Sequence, residues 1–281
     1  MSGPASNLLV TADELAAHPE WRVFDCRHDL KNTEYGRQAY ARGHIPGALF
    51  LHLDEDLSGA TNGSNGRHPL PDIAAFARRM SGCGVDAETQ VVAYDNEGGI
   101  FASRLWWLLR WLGHERVAVL DGGLAGWTRS KRVLVESVVP VVPRQFKPQP
   151  QELAVDVGRV LAELGSPRML ILDARSAERF RGENETLDPV GGHIPGAVNR
   201  FYFENLDDDG CFFKPRDELR REFTALLAGR PASEVLQQCG SGVTACHNLL
   251  AMELAGLSGS KLYPGSWSEW CADPARPVAR G

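Results

Sequence analysis

The 281-residue sequence contains no C-x-x-C pair and no H-E-x-x-H or comparable histidine cluster. Its six cysteines (26, 83, 211, 239, 246, 271) and eight histidines therefore lack metal-ligand spacing, and no structural or catalytic metal is expected. The same scatter of cysteines gives no disulfide framework, so reduced thiols in the cytoplasm are the expectation. No apolar run is long enough to span a bilayer. Residues 1–7 carry neither a basic nor an apolar signal segment, so no secretory leader is expected. A surplus of positive charge is missing too. The net charge of −6 argues against a general nucleic-acid binder. What is present, 43% hydrophobic and 23% charged residues, suits a soluble globular chain long enough for two domains.

Strand and helix signals alternate along the chain. Thr11 followed by Glu14 forms a capping box ahead of a first helix. Short buried strands are expected over 22–25, 91–94 and 117–120, with helices from Pro71 through Met80 and over 101–112. Residues 58–67 form a polar loop of Gly, Asn and Ser. This alternation predicts an α/β fold with mostly parallel sheets flanked by helices.

The chain is also internally repeated. Val23-Phe24-Asp25-Cys26-Arg27 returns as Ile171-Leu172-Asp173-Ala174-Arg175, and Gly43-His44-Ile45-Pro46-Gly47-Ala48 returns unchanged at 192–197. Val91 to Asp95 falls on Val235 to Cys239. Two tandem domains follow, 1–137 and 151–281, joined by a proline-rich connector over 138–150 that is stiff and extended by composition. The copies differ at one telling place, because the first has Asp95 where the second has Cys239. His44, His193 and the two Asp-x-Arg pairs recur regardless of that difference, so they are read as structural.

Residues 235–238 read as a buried strand and the cluster around Leu249 and Leu254 as a helix, which puts Cys239 at the carboxyl end of a strand, where α/β sheets bind ligands. Gly240 and Gly242 let the backbone curl around one atom, and the helix N-terminus adds its positive end. Both features favour a charged sulfur over an inert buried thiol.

Two His-Ile-Pro-Gly-Ala segments, paired Asp-x-Arg strand ends and the loop Cys239-Gly240-Ser241-Gly242-Val243-Thr244-Ala245 together resemble the tandem rhodanese-type sulfurtransferases, over about Leu8 to Trp270. Within that family the loop is similar to that of the 3-mercaptopyruvate sulfurtransferases. The resemblance implies two rhodanese-like domains, the first without the catalytic cysteine. It also implies transfer of sulfur from 3-mercaptopyruvate through a Cys239 persulfide to a thiol such as thioredoxin or glutathione, or to cyanide, with release of pyruvate. No cofactor, nucleic acid or membrane is expected to take part.

By the same resemblance Ser241, His68 and Asp54 form a proton relay, Arg179 binds the donor carboxylate, and Gly240, Gly242, Val243 and Thr244 line the anion cradle. His68 and Asp54 are counted with the first domain, so the site is expected in the cleft between the copies. The family's second carboxylate-binding arginine has no counterpart over 183–189, which leaves one guanidinium for the donor.

The runner-up is a thiosulfate sulfurtransferase using the same cysteine, disfavoured by a loop with no basic residue for a dianion. A cysteine phosphatase would need an arginine where Val243-Thr244-Ala245 stands. A purely binding role fits the first domain, where Asp95 replaces the thiol, but not a chain that keeps Cys239. Trp106, Trp107 and Trp111 are assigned to the core, and Trp267 stands between core and pocket wall.

Overall fold

The computed structural model describes residues 7–281. The chain forms two compact units: the first comprises 1–59, 71–151 and 208–213, the second 60–70, 152–207 and 214–281. Residues 60–70, and His68 with them, thus belong to the second unit although they precede most of the first in sequence.

The first unit holds a five-stranded parallel sheet. In chain order its strands are β1 (Leu9–Val10), β2 (Arg22–Asp25), β3 (Leu49–Phe50), β4 (Val91–Tyr94) and β5 (Val117–Leu120). They lie side by side as β1-β5-β4-β2-β3, all parallel. The helices between them are α1 (Ala12–Ala17), α2 (Tyr35–Arg42), α3 (Ile73–Gly82), α4 (Ile100–Trp111) and α5 (Gly123–Arg129). The Thr11 capping box forms as expected, Thr11 Oγ1 accepting from Glu14 N–H while the Glu14 carboxylate accepts from Thr11 N–H. Asp72 caps α3 by accepting from Ala75 N–H. Central β4 is buried at every position, as a parallel strand covered on both faces must be. Trp106 and Trp107 of α4 are core residues, 3% and 2% exposed, whereas Trp111, also expected there, is only partly buried at the end of the helix, stacked on Trp107.

The connector over 138–150 forms no helix or strand, yet it is tied down within this unit. Phe146 is buried, its N–H bonds Ser81 Oγ, and Gln149 N–H bonds Leu112 O. Those contacts, which composition does not disclose, make its second half part of the unit's packing rather than a spacer.

The second unit repeats the pattern with α6 (Val157–Ala162), β6 (Leu170–Asp173), α7 (Ala177–Arg181), β7 (Val198–Asn199), α8 (Arg216–Leu227), β8 (Val235–Gln238), α9 (Thr244–Leu254), β9 (Lys261–Leu262) and α10 (Ser266–Trp270). Its parallel strands run β7-β6-β8-β9, and an isolated parallel bridge from Ala154 to Leu262 stands where β1 stands in the first sheet. The strand order is therefore the same in both sheets.

The repeated side chains serve as strand-end clamps. Asp25 and Arg27 pair in the first unit, and Arg27 reaches Gly43 O at 2.8 Å; Asp173 and Arg175 pair in the second, and Arg175 reaches Gly192 O at 2.7 Å. His44 Nδ1 bonds Tyr40 O and His193 Nδ1 bonds Phe180 O, so both histidines hold backbone. Each clamp fixes the Gly-His-Ile-Pro-Gly-Ala turn to the end of the strand beside the central one.

Candidate active site

Central strand β8 delivers Cys239 to the carboxyl edge of the second sheet, where the residue is 2% exposed. Its N–H donates to Ser266 Oγ at 3.1 Å, and that hydroxyl donates in turn to Tyr263 O. The carbonyls of Cys239 and Gly240 accept from Trp267 N–H and Ser268 N–H at 3.0 and 2.9 Å. The first turn of α10 thus pins the start of the loop. Ser266 takes a left-handed φ of +53° to make this contact, a conformation that costs a serine about 1 kcal/mol or more. Trp267 is fully buried under the loop, its indole N–H on Val190 O, and so belongs to the core rather than to a pocket wall.

Gly242 has φ +76°, and a Cβ there would lie 2.4 Å from Pro264 O, so only glycine lets the loop close. Among the described residues none accepts a hydrogen bond from the main-chain N–H of Gly240, Ser241, Val243 or Thr244. The first unit contains what such a loop can hold. Asp95, at the matching place after β4, is fully buried. Its carboxylate accepts from the N–H of Glu97, Gly99, Phe101 and Ala102 at 2.8–2.9 Å. A strand-to-helix loop of this shape binds an anion through main-chain donors.

Ser241 and His68 meet: Ser241 Oγ is 2.7 Å from His68 Nδ1, and both residues are buried. Asp54 belongs to the first unit, where its carboxylate stands 4.0 Å from His28 Nε2 and from His52 Nδ1.

Two guanidinium groups reach the loop at Gly240. A Cβ on Gly240 would lie 2.8 Å from Arg67 Nη2 and 3.3 Å from Arg179 Nη2, so both guanidinium groups stand against the loop at this residue. Arg179 was expected here; Arg67 was not. The sequence has no second arginine over 183–189, whereas the fold brings one from the segment that also carries His68. Its place directly before His68 was the available signal.

Both arginines rest on buried carboxylates. Arg67 Nη1 bonds Asp188 Oδ1, and Arg179 Nη2 bonds Asp188 Oδ2 at 3.2 Å and Glu185 Oε1 at 2.9 Å. Glu185 and Asp188 side chains are 4% and 3% exposed. Behind them Arg175 bonds Asp173, reaches Glu185 at 3.4 Å, and lies over the Trp267 ring. Burial works to lower the Arg175 pKa, but the Asp173 and Glu185 carboxylates raise it above its ordinary value. Burial likewise works to raise Glu185, but the Arg179 bonds and the Leu187 N–H bring it below the ordinary carboxylate value. For Asp188 burial wins, with Glu185 adding to it against the arginines, and its pKa is raised.

The Rhodanese-like domain family matches residues 11–130 and 156–273. The chain is 48% identical over 283 residues to a Pseudomonas aeruginosa protein named "Probable 3-mercaptopyruvate sulfurtransferase", covering 99% of each. It is 34% identical over 278 residues to the thiosulfate sulfurtransferase of Bos taurus, covering 94% of this chain and 90% of that one. Among solved structures, the 3-mercaptopyruvate sulfurtransferase from Leishmania major superposes with a TM-score of 0.85 at 31% identity, over 96% of this chain and 75% of that one.

Proposed function

The chain belongs to the rhodanese-like family of sulfurtransferases, and from that membership we propose that it moves sulfur from 3-mercaptopyruvate through a persulfide on Cys239 to a thiol or cyanide, releasing pyruvate. The observation that carries this reading is the Arg67–Arg179 pair over Gly240 beside the Ser241–His68 contact. An α-keto acid offers a carboxylate and a ketone oxygen, one for each. Paired guanidinium groups match a carboxylate in plane, and a hydroxyl backed by a histidine suits an oxygen that gains negative charge.

In the first step the Cys239 thiolate attacks the donor sulfur and an S–S bond forms. The C–S bond breaks and its electron pair becomes the enolate of pyruvate. The proton given up by the donor thiol is carried by the Ser241–His68 pair to the enolate oxygen, so protons balance, and the enol tautomerises to pyruvate. Main-chain N–H groups of the loop hold the persulfide anion as Asp95 is held in the first unit. In the second step the persulfide takes up a proton and an acceptor thiolate attacks its outer sulfur. The S–S bond breaks and its electron pair returns to Cys239. Asp54 enters the relay on family resemblance alone. Six free, buried cysteines support a reducing compartment, read here as the cytoplasm. Among the described residues no helix is long and apolar enough to cross a membrane.

Steady-state comparison of mercaptopyruvate and thiosulfate with one common acceptor tests the reading. A higher kcat/KM for mercaptopyruvate is expected; a higher value for thiosulfate overturns it.

A further inference from the structure

We propose that Asp188 is a specificity-determining residue: it cancels charge between Arg67 and Arg179, so that the loop accepts a monocarboxylate donor and turns away a dianion. The inference deepens the mercaptopyruvate reading and rests on it.

Asp188 has one carboxylate oxygen on each of the two guanidinium groups that reach Gly240. Glu185 binds Arg179 from the same side. Counted with the clamp behind them, Arg67, Arg175 and Arg179 face Asp173, Glu185 and Asp188, three charges of each sign. The cluster therefore presents directed N–H donors with no net positive charge.

Those two properties act differently on different donors. Hydrogen bonds from a planar guanidinium need only a carboxylate's geometry, which a monoanion supplies. The cost of bringing an ion out of water rises with the square of its charge, so N–H donors that compensate a monoanion fall further short for a dianion unless the site also carries net opposite charge. A neutral cluster thus favours mercaptopyruvate, with its single carboxylate charge, over thiosulfate with two. Arginines alone would favour the dianion. The two buried carboxylates fix the arginines, and their charge at the same time repels the donor itself, a repulsion that weighs more on a dianion than on a monoanion.

Replacing Asp188 by Asn keeps its size and an acceptor oxygen but removes the charge. In the Asp188→Asn protein the ratio of kcat/KM for thiosulfate to that for mercaptopyruvate should rise about tenfold or more, the effect of one buried charge, through a lower KM for thiosulfate. Asp188→Glu, which keeps the charge, should stay near the wild-type ratio. If both donors lose equally in Asp188→Asn, the residue merely positions the arginines and the inference falls; an Asp188→Glu protein that behaves like Asp188→Asn also overturns it. Wild-type protein preferring thiosulfate would overturn the parent reading with it, whereas wild-type preference for mercaptopyruvate with an unmoved ratio in Asp188→Asn sinks this inference alone. Should Asp188→Asn fail to fold, calorimetric titration of the wild-type protein decides: sulfate should bind no more tightly than pyruvate, and tenfold tighter sulfate binding would refute charge cancellation.

Discussion

Ser241 Oγ and His68 Nδ1 stand 2.7 Å apart across 173 residues of sequence. A hydroxyl that short of a buried imidazole is set to pass a proton, and only a donor that leaves as an enolate needs one. Ser241→Ala and His68→Gln should each lower kcat for mercaptopyruvate by roughly 10²–10⁴, the usual worth of a positioned acid–base group. Thiosulfate turnover, whose leaving group is already a stable anion, should fall far less. Equal losses with both donors would assign the pair to scaffolding.

Sulfur should be found on Cys239 and not on the other thiols. Burial pushes Cys26 and Cys83 above the ordinary thiol range, and pushes Cys271 up to about 11. These remain protonated at neutral pH and are poor nucleophiles. Peptide mass spectrometry after donor exposure without acceptor should show one added sulfur on the Cys239 peptide, lost on addition of a thiol. Label on the Cys26, Cys83 or Cys271 peptides would contradict this.

The Asp95 carboxylate is structural: burial pushes its pKa up, and the four main-chain N–H bonds work against that rise. Removing its carboxylate strands the N–H groups of Glu97, Gly99, Phe101 and Ala102, which it now satisfies, in a fully buried loop. Each orphaned donor costs about 1–3 kcal/mol, so Asp95→Ala should lower stability by about 3 kcal/mol or more in chemical denaturation. The Asp95→Ala protein that remains folded should still form the Cys239 persulfide. A change below about 0.5 kcal/mol, the size of a neutral surface substitution, would show that the loop does not depend on the carboxylate.

The parts of this molecule that a sequence discloses are those whose partners are near in the chain or repeated. Asp25 and Arg27 lie two residues apart and recur as Asp173 and Arg175, so their shared role in a domain with a thiol and one without marks them as framework. Cys239 is legible because glycine, strand and helix signals all converge on its loop. Arg67 was hidden for the opposite reason. It sits in a polar loop whose composition predicts only flexibility, and its partner Asp188 is 121 residues away, so nothing local records the pairing. The short stretch 208–213 is similar: Phe213 N–H bonds Asp121 and Phe212 packs on Gly122, contacts of the first unit made from within the sequence of the second half. Long-range exchange of a few residues leaves no periodicity to detect.

Glu185 gives the second unit a pH dependence of definite sign. Its folded pKa lies below the ordinary carboxylate value, so the unfolded chain binds the proton more readily. The stability it contributes is therefore complete above the ordinary carboxylate range and is lost as pH falls through the depressed folded value. Asp188, raised in the folded protein, has the reverse sign and contributes most when protonated, losing its share as pH rises through its raised value. Above both values only Glu185 remains a net gain, because it accepts from Arg179 Nε and Nη2 and from the N–H of Leu187. Glu185→Gln leaves the Arg175 and Arg179 guanidinium groups short of a buried counter-charge, a loss of about 3–5 kcal/mol where such a pair is fully sequestered. Arg179 is 20% exposed, so water softens the loss to the lower part of that range. Tm measured from about pH 6 down to about pH 2 should fall more steeply for the wild-type protein than for Glu185→Gln, the two curves converging at the acid end. Parallel curves would mean that Glu185 carries the same proton affinity folded and unfolded, and would remove it from the electrostatic support of the loop.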